Sequence, residues 1–277
     1  MSPPPRWLWF LRVLTAYVRR ELSALGGYRM AFVFRFFGFA SLAASVYFLS
    51  RFVGATANPH LSAYAGNYLG FLVIGALATD FQHIGVSGLA QRIRLAQMMG
   101  TLEAEVATPA PPWIVLGAPP VYEFAGAAVR SAAYLIGARV LLGLDLSRAS
   151  WVSLLVSVPL IIAAFSGLGL LAAGTTMLMR RTNPVATVIG SLSFFLSGVL
   201  YPVEVLPGWL QAVGSLLPLT HALAVLRGGL LVGSPIAAMG GSLVALMVFA
   251  IVLAPIGAGV FAYALRRARA DGSLSHY

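Results

Sequence analysis

The chain is predicted to be all-α: a polytopic membrane protein with six transmembrane helices, an N-terminal interfacial amphipathic helix, and an outer-side re-entrant helical hairpin before the last span. Three observations carry this prediction. Of 277 residues, 59% are hydrophobic and 9% charged, with a mean hydropathy of +0.88, a composition that cannot clothe a soluble domain in polar surface. The apolar residues gather into runs of about 20, the length that crosses about 30 Å of hydrocarbon as a helix. The arginines are unevenly shared between alternate connecting segments, which sets both the number of crossings and their direction.

Taken in order, residues 6–27 come first. Trp7, Phe10, Leu11, Leu14, Tyr17, Val18, Leu22 and Leu25 fall on one arc of a helix, and Arg12, Thr15, Arg19, Arg20 and Ser23 on the other. The apolar run before Arg12 is too short for the core of a signal peptide, so the segment reads as a helix lying in the inner-leaflet interface. Six candidate spans follow, at 30–50, 68–89, 115–142, 151–179, 184–201 and 239–265.

With the N-terminus inside, the inner side receives Arg6, Arg12, Arg19, Arg20, Arg29, Arg92, Arg94, Arg180, Arg181, Arg266, Arg267 and Arg269. The outer side receives Arg51, Arg148 and Arg227, with Arg139 near enough to snorkel there. Positive charge gathers inside, so both termini are placed in the cytoplasm. A seventh crossing within 202–234 would carry Arg266, Arg267 and Arg269 outside, against the rule. That stretch is therefore predicted to enter and leave on the outer side as two half-helices, 208–217 and 219–232, each too short to span. Pro202 is expected to end the fifth span and Pro207 to begin the first half-helix. Pro218 interrupts the pair, because proline has no amide hydrogen to give inside a helix. Glu204 is placed near the wetter outer end.

Several chemistries are excluded or disfavoured. There is no cysteine, which removes disulfides, thiolate metal sites and cysteine nucleophiles. His60, His83, His221 and His276 show no metal-ligand spacing. All 18 basic residues are arginine; without lysine there is no phosphate-binding loop of the GK[ST] kind, so any ATP used is bound by another chain. The arginines sit in small groups beside apolar runs rather than on one basic face, which argues against nucleic acid.

The 92–106 loop is predicted to be a helix broken at Gly100 and ended by Pro109, Pro111 and Pro112. Arg92 and Arg94 precede an apolar set, Leu95, Met98, Met99 and Leu102, that would be costly to leave in water and reads as a docking surface, with Thr101 and Glu103 beside it. Inside the spans, Asp80, Glu123 and Arg130 are candidates for a translocation path, since intramembrane ionisable groups are costly; a structural contact between helices is the competing reading. Glu123 and Arg130 share a helix face but lie about 10 Å apart along it. The small residues of "SGLGLLAAG" at 166–174 are read as permitting close helix packing.

The stretches "GTLEAEVATPAPPWIVLG" and "FFLSGVLYPVEVLPGWLQAVGSLLPLTHALAVLRGGLLVG" resemble the type-2 permease family of ABC exporters, nearest to the subgroup of antibiotic-resistance exporters and rhizobial lipo-oligosaccharide exporters. The resemblance implies a single transmembrane domain over residues 1–277 in a prokaryotic cytoplasmic membrane. It implies pairing with a second permease copy or homologue and with two ABC ATPase subunits that hold the ATP and Mg²⁺, this chain binding no cofactor and catalysing nothing itself. In such permeases the interfacial helix and the first cytoplasmic loop meet the ATPases, roles that map here onto 6–27 and 92–106. The late motif forms short outer-side helices; it maps onto 202–234, with Pro202, Glu204, Pro207, Trp209, Pro218, His221 and Arg227 as hairpin or outer-gate residues.

The expected function is therefore the permease of an ATP-driven exporter of an amphipathic, lipid-linked or drug-like molecule. Two other classes leave traces. Asp80 and Glu123 could serve an ion-coupled secondary transporter. The "GVSG" at 85–88, with His221 as a base, could belong to an intramembrane serine protease.

Overall fold

In the computed structural model the described residues are Thr15, five positions between 41 and 48, and the stretches 67–101, 112–179 and 184–270. The predicted interfacial helix, almost all of the predicted first span, and Leu102 and Glu103 of the predicted loop lie outside them.

Every regular element among the described residues is helical. Helix α1 runs Tyr68–Met98, with Asn67 capping it by accepting a bond from the Gly70 amide at 2.9 Å. Helix α2 is Pro112–Leu142 and α3 is Trp151–Met179. Next comes α4, Pro184–Leu196, followed by a short 3₁₀ turn, Val203–Val205, and by α5, Gly208–Gly214. Helix α6, Pro218–Val232, meets α5 at 90°. A 3₁₀ turn, Ile236–Met239, leads into α7, Gly240–Ala270.

Among the described residues four segments are long and apolar enough to cross a membrane: all of α1, the Pro120–Leu142 part of α2, α3, and the turn-plus-α7 stretch Ile236–Ala268. Their outward faces carry large apolar side chains such as Val129, Leu141, Leu155 and Ile251, the arrangement expected when the solvent is hydrocarbon.

Two expectations are corrected here. The second span was predicted to stop at 89, with a separate helix from Arg92; instead α1 continues unbroken through Met98 for 31 residues, about 46 Å. It ends where expected, at Gly100, whose φ of +66° is left-handed. The Gly100 amide bonds the Gln97 carbonyl and the Thr101 amide reaches back to Ala96, closing the end in a Schellman motif. The fifth span was predicted to run to 201; α4 stops at Leu196 after 13 residues, about 20 Å and short of the bilayer's hydrocarbon.

The core is organised around α6. Its Leu219, Ala222, Leu223 and Val225 pack among Ala78 and Phe81 of α1, Phe124 of α2, Phe165 of α3 and Leu246 of α7. This burial is what makes a half-helix tolerable at depth, since its irregular ends are covered by protein rather than lipid. Helices α3 and α7 touch along the predicted small-residue stretch. A Cβ at Gly167 would lie 2.8 Å from backbone atoms of Leu253 and Ala254, and one at Gly174 would lie 2.9 Å from the Phe261 nitrogen.

Candidate functional site

The late motif builds a fastened hairpin. Pro207 caps α5 and Pro218 occupies the first turn of α6, where a missing amide hydrogen costs nothing. The two half-helices are then tied at their corner. Thr220 donates from Oγ1 to the Gly214 carbonyl at 2.6 Å, and the His221 Nε2 lies 2.9 Å from the Ser215 carbonyl. Both acceptors stand at the C-terminal end of α5, where carbonyls lack helical partners. The "PLTH" sequence thus starts one half-helix and closes the other, and the His221 ring also rests against Phe249. Gln211 secures the entry by donating to the Leu206 carbonyl at 2.8 Å. Trp209 and Glu204 are exposed and Pro202 is buried.

Pro202 does not end the preceding helix. That is done by Gly198, whose φ of +79° is open to glycine at little cost; Pro202 stands farther along, in extended backbone at the start of the Val203–Val205 turn.

Arg227 is the residue whose role changes most. Counted in the sequence as an outer-side charge, it is 2% exposed. Its Nη1 donates to the Gly198 carbonyl at 2.8 Å, and its Nη2 to the carbonyls of Phe71 and Val199, both at 3.0 Å. The guanidinium also lies 3.3 Å from the centroid of the Phe71 ring. One side chain therefore joins α1, the end of α4 and α6. Gly75 makes room for it, since a Cβ there would lie 2.6 Å from the Val199 carbonyl oxygen and 3.2 Å from Arg227 Nη2. Tyr68 adds a bond to the Leu200 carbonyl at 2.9 Å.

The turn between α2 and α3 clasps the far end of α6. The Ser150 amide donates to the Gly229 carbonyl and Ser153 Oγ to the Ser234 carbonyl. In that turn Asp145 accepts from the Ser147 amide, and this bond, helped by nearby Arg148 and Arg139, holds its carboxyl below the usual carboxylate range.

Of the path candidates, Asp80 and Arg130 are brought together: Arg130 Nη2 donates to Asp80 Oδ2 at 3.1 Å, with both side chains more than a third exposed. The pair joins α1 to α2. Spacing had put Glu123 on the same helix face as Arg130 but about 10 Å along it; the partner of Arg130 stands on another helix. Glu123 instead lies against Gly88, where a Cβ would sit 2.8 Å from its Oε2. Gln82, three residues short of Gly85, is buried and donates to Ser193 Oγ of α4 at 2.7 Å.

At the opposite end of α1 from the hairpin, Leu95, Met98 and Met99 are exposed, at 56%, 61% and 68%, while Ile93 and Ala96 pack with Met177 of α3 and Ala264 of α7. That packing places Arg92, Arg94, Arg266 and Arg267 at the same end of the molecule. Arg139, Asp145 and Arg148 stand at the hairpin end.

Ser87 and His221, the protease candidates, are each absorbed elsewhere: Ser87 lies within a helical turn of α1, Ile84–Gly88, and His221 closes the hairpin corner. No group of three or more metal-ligating side chains occurs among the described residues.

Long apolar helices, with a bent helix pair before the last of them, make the described residues those of a polytopic α-helical membrane protein. The family described as ABC-2 type transporter matches residues 12–231, and the chain belongs to it. It is also similar to Nodulation protein J of Rhizobium meliloti (strain 1021), 35% identical over 114 residues, which is 39% of this chain and 42% of that protein. The match thus spans less than half of that relative's length. As a member of this family, with four long apolar helices among its described residues, the chain is a multi-pass membrane protein.

Proposed function

We propose that the chain is the permease subunit of an ATP-driven exporter, paired with a second permease copy or homologue and with two ABC ATPase subunits that bind the ATP and Mg²⁺. It sits in a prokaryotic cytoplasmic membrane with six spans and both termini inside. It moves an amphipathic, lipid-linked or drug-like molecule outward, and Asp80, Glu123 and Arg130 line the route.

The observation that carries this reading is the uncovered apolar tip of α1. Leu95, Met98 and Met99 stand out from a capped helix end that also carries Arg92 and Arg94. Charged flanks place that end in water, where three large apolar side chains are costly unless a partner covers them. Gly100 and Thr101 close the helix with backbone bonds to Gln97 and Ala96, so the tip ends as a capped helix rather than a frayed one. At the other end, Pro202, Glu204, Pro207, Trp209, Pro218, His221 and Arg227 belong to a closed hairpin suited to an outer gate.

Replacing Leu95 and Met98 together by aspartate tests the docking. Each buried apolar side chain is worth about 1.5–3 kcal/mol, so the double variant should lose co-purification of the ATPase while keeping its elution profile in detergent. Retained co-purification would refute the assignment. Orientation is tested separately by single cysteines at Ser2, Ser234 and Ser273 in this cysteine-free chain; only the one at 234 should react with an impermeant reagent from outside.

A further inference from the structure

We propose that one face of α1, carrying Thr79, Asp80, His83, Ser87 and Gln91, is a hydrated track for the polar head of an amphipathic cargo, open at the Met98 tip and closed at Ala76. The proposal rests on the reading that the chain is a permease with Asp80 and Arg130 on its route. It adds His83, Ser87 and Gln91 to that route and gives the route a direction.

The depth of these residues follows from length. Helix α1 has 31 residues, about 46 Å, against about 30 Å of hydrocarbon. Wherever a helix of that length is set along the membrane normal, so long as it crosses, the part from about 16 to 30 Å along it stays in the hydrocarbon. Counted from Tyr68 at about 1.5 Å per residue, Thr79, Asp80, His83 and Ser87 all fall in that part.

The burial pattern puts them on the uncovered side. Phe81, Gln82, Val86, Ala90 and Ile93 are buried against the rest of the molecule, whereas His83 and Gln91 are exposed and Thr79, Asp80 and Ser87 half-buried. In an unbroken α-helix each step of four residues drifts about 40° and would carry Gln91 about 120° away from Thr79. The π turn Ile84–Gly88 spends one extra residue between them and takes most of that drift back. Thr79, His83, Ser87 and Gln91 therefore stay in one line.

An exposed histidine beside a part-exposed ion pair at this depth does not face lipid tails, because ionisable side chains within a membrane turn to protein or to water. Where helices of this molecule pack closely, the contact is made by small residues, as at Gly167 and Gly174 of α3. The α1 line instead carries histidine, glutamine and the Asp80 carboxylate, and it continues to exposed Arg94 near the tip, where it joins the water. Toward the hairpin it stops. The same face there bears Leu69, Leu72, Val73 and Ala76, with Leu69, Val73 and Leu200 packed about buried Phe71 and Leu72. The last charged groups met from the tip are Asp80 and Arg130, 3.1 Å apart. A track wet from the tip and dry beyond that pair is shaped to receive cargo from the tip side.

The test uses the full-length permease, expressed without an ATPase, in right-side-out and inverted membrane vesicles and purified after labelling. Single cysteines replace His83, Ser87 and Gln91 in a chain that has none of its own. Val129→Cys is the control, since it neighbours Arg130 and is 72% exposed; Met98→Cys marks the tip side. The probe is a charged, membrane-impermeant methanethiosulfonate, which attacks the thiolate and so needs water. Positions 83, 87 and 91 should react at least about ten-fold faster than the control, and only in the vesicles in which position 98 reacts. Ser87→Cys exchanges a single atom and keeps the reading where His83→Cys does not fold. Rates at 83 and 87 no faster than the control would overturn the track, because lipid or another helix then covers the face. Labelling confined to the vesicles in which position 98 is silent would overturn its direction. Failure of an ATPase to co-purify would count against the exporter reading alone, because the rates are read without that partner.

Discussion

Removing the Arg227 guanidinium tests the structural logic of the hairpin most directly. Arg227→Met keeps the length and apolar stem but strips three hydrogen bonds from the carbonyls of Gly198, Val199 and Phe71, and the cation from the Phe71 face. Gly198 and Val199 lie beyond the last turn of α4, so their carbonyls lose a partner that the helix does not replace. An unsatisfied buried acceptor costs about 1–3 kcal/mol, giving about 2–6 kcal/mol for the two. A desolvated cation–π contact adds about 2 kcal/mol. Against this, the variant no longer buries a charge, which returns several kcal/mol. The bare acceptors and the lost ring contact together, about 4–8 kcal/mol, exceed that return, so we expect a net loss of about 2–4 kcal/mol. Arg227→Lys should fall between, since one ammonium cannot fork to three acceptors or stack on a ring. The assay is the midpoint of SDS-induced unfolding in mixed micelles for the three chains. A methionine variant as stable as the parent would refute the reasoning.

Three further outcomes follow from the same geometry. Gly198→Ala should destabilise by about 1–3 kcal/mol, because φ is +79° and a Cβ would lie 2.6 Å from Val203 Cγ2, whereas Pro202→Ala should change the same unfolding midpoint by less than about 0.5 kcal/mol; the reverse ranking would restore Pro202 as the helix stop. The stability losses of Asp80→Asn and Arg130→Gln measured singly should sum to more than the loss in the double variant, and a double-mutant cycle with no coupling would show that the 3.1 Å pair contributes nothing. Because the Asp145 carboxyl is held below its usual range, its contribution to the α2–α3 turn is fully present above the unfolded value of about 3.9 and lost as pH falls through the lower folded value. Hydrogen exchange at the Ser147 amide should accelerate over that acid range in the parent and show no such step in Asp145→Asn.

How much of this was legible in the sequence depends on the range of the interaction involved. Helix α3 occupies the predicted 151–179 because one apolar run with a bounding arginine pair decides it locally. The half-helices were readable because Pro207 and Pro218 act on their own backbone, and the Gly100 stop because it ends an apolar periodicity. Gly198 was overlooked: a glycine within "LSGVLYP" carries no mark of the sign of φ, and the prolines nearby drew the boundary toward themselves. Arg227 was read as a loop charge because its acceptors are backbone carbonyls up to 156 residues away, which no side-chain pattern reveals. The Asp80–Arg130 pair spans 50 residues and two helices, which spacing within one helix cannot reveal. Neither π turn, Ile84–Gly88 or Gly228–Val232, interrupts the apolar pattern, and both are invisible to periodicity.

The short α4 and α6, the second half of the bent helix pair, make sense only together. A helix of about 20 Å stops some 10 Å short of crossing the hydrocarbon, and its terminal carbonyls would face a medium that offers no donors. The half-helix α6, Pro218–Val232, has the matching defect, since it too is shorter than the hydrocarbon is thick. Arg227 lies at the junction of the α-helical part of α6 with its π turn, and its guanidinium supplies donors where α4 lacks them. The far end of α6 is satisfied in turn by Ser150, by Ser153, and by Gly233, whose φ of +71° lets the Gly228 carbonyl collect the amide of Ser234. Each incomplete helix is thus completed by another element, through bonds that are directional and buried. A unit tied in this way moves as one body or comes apart.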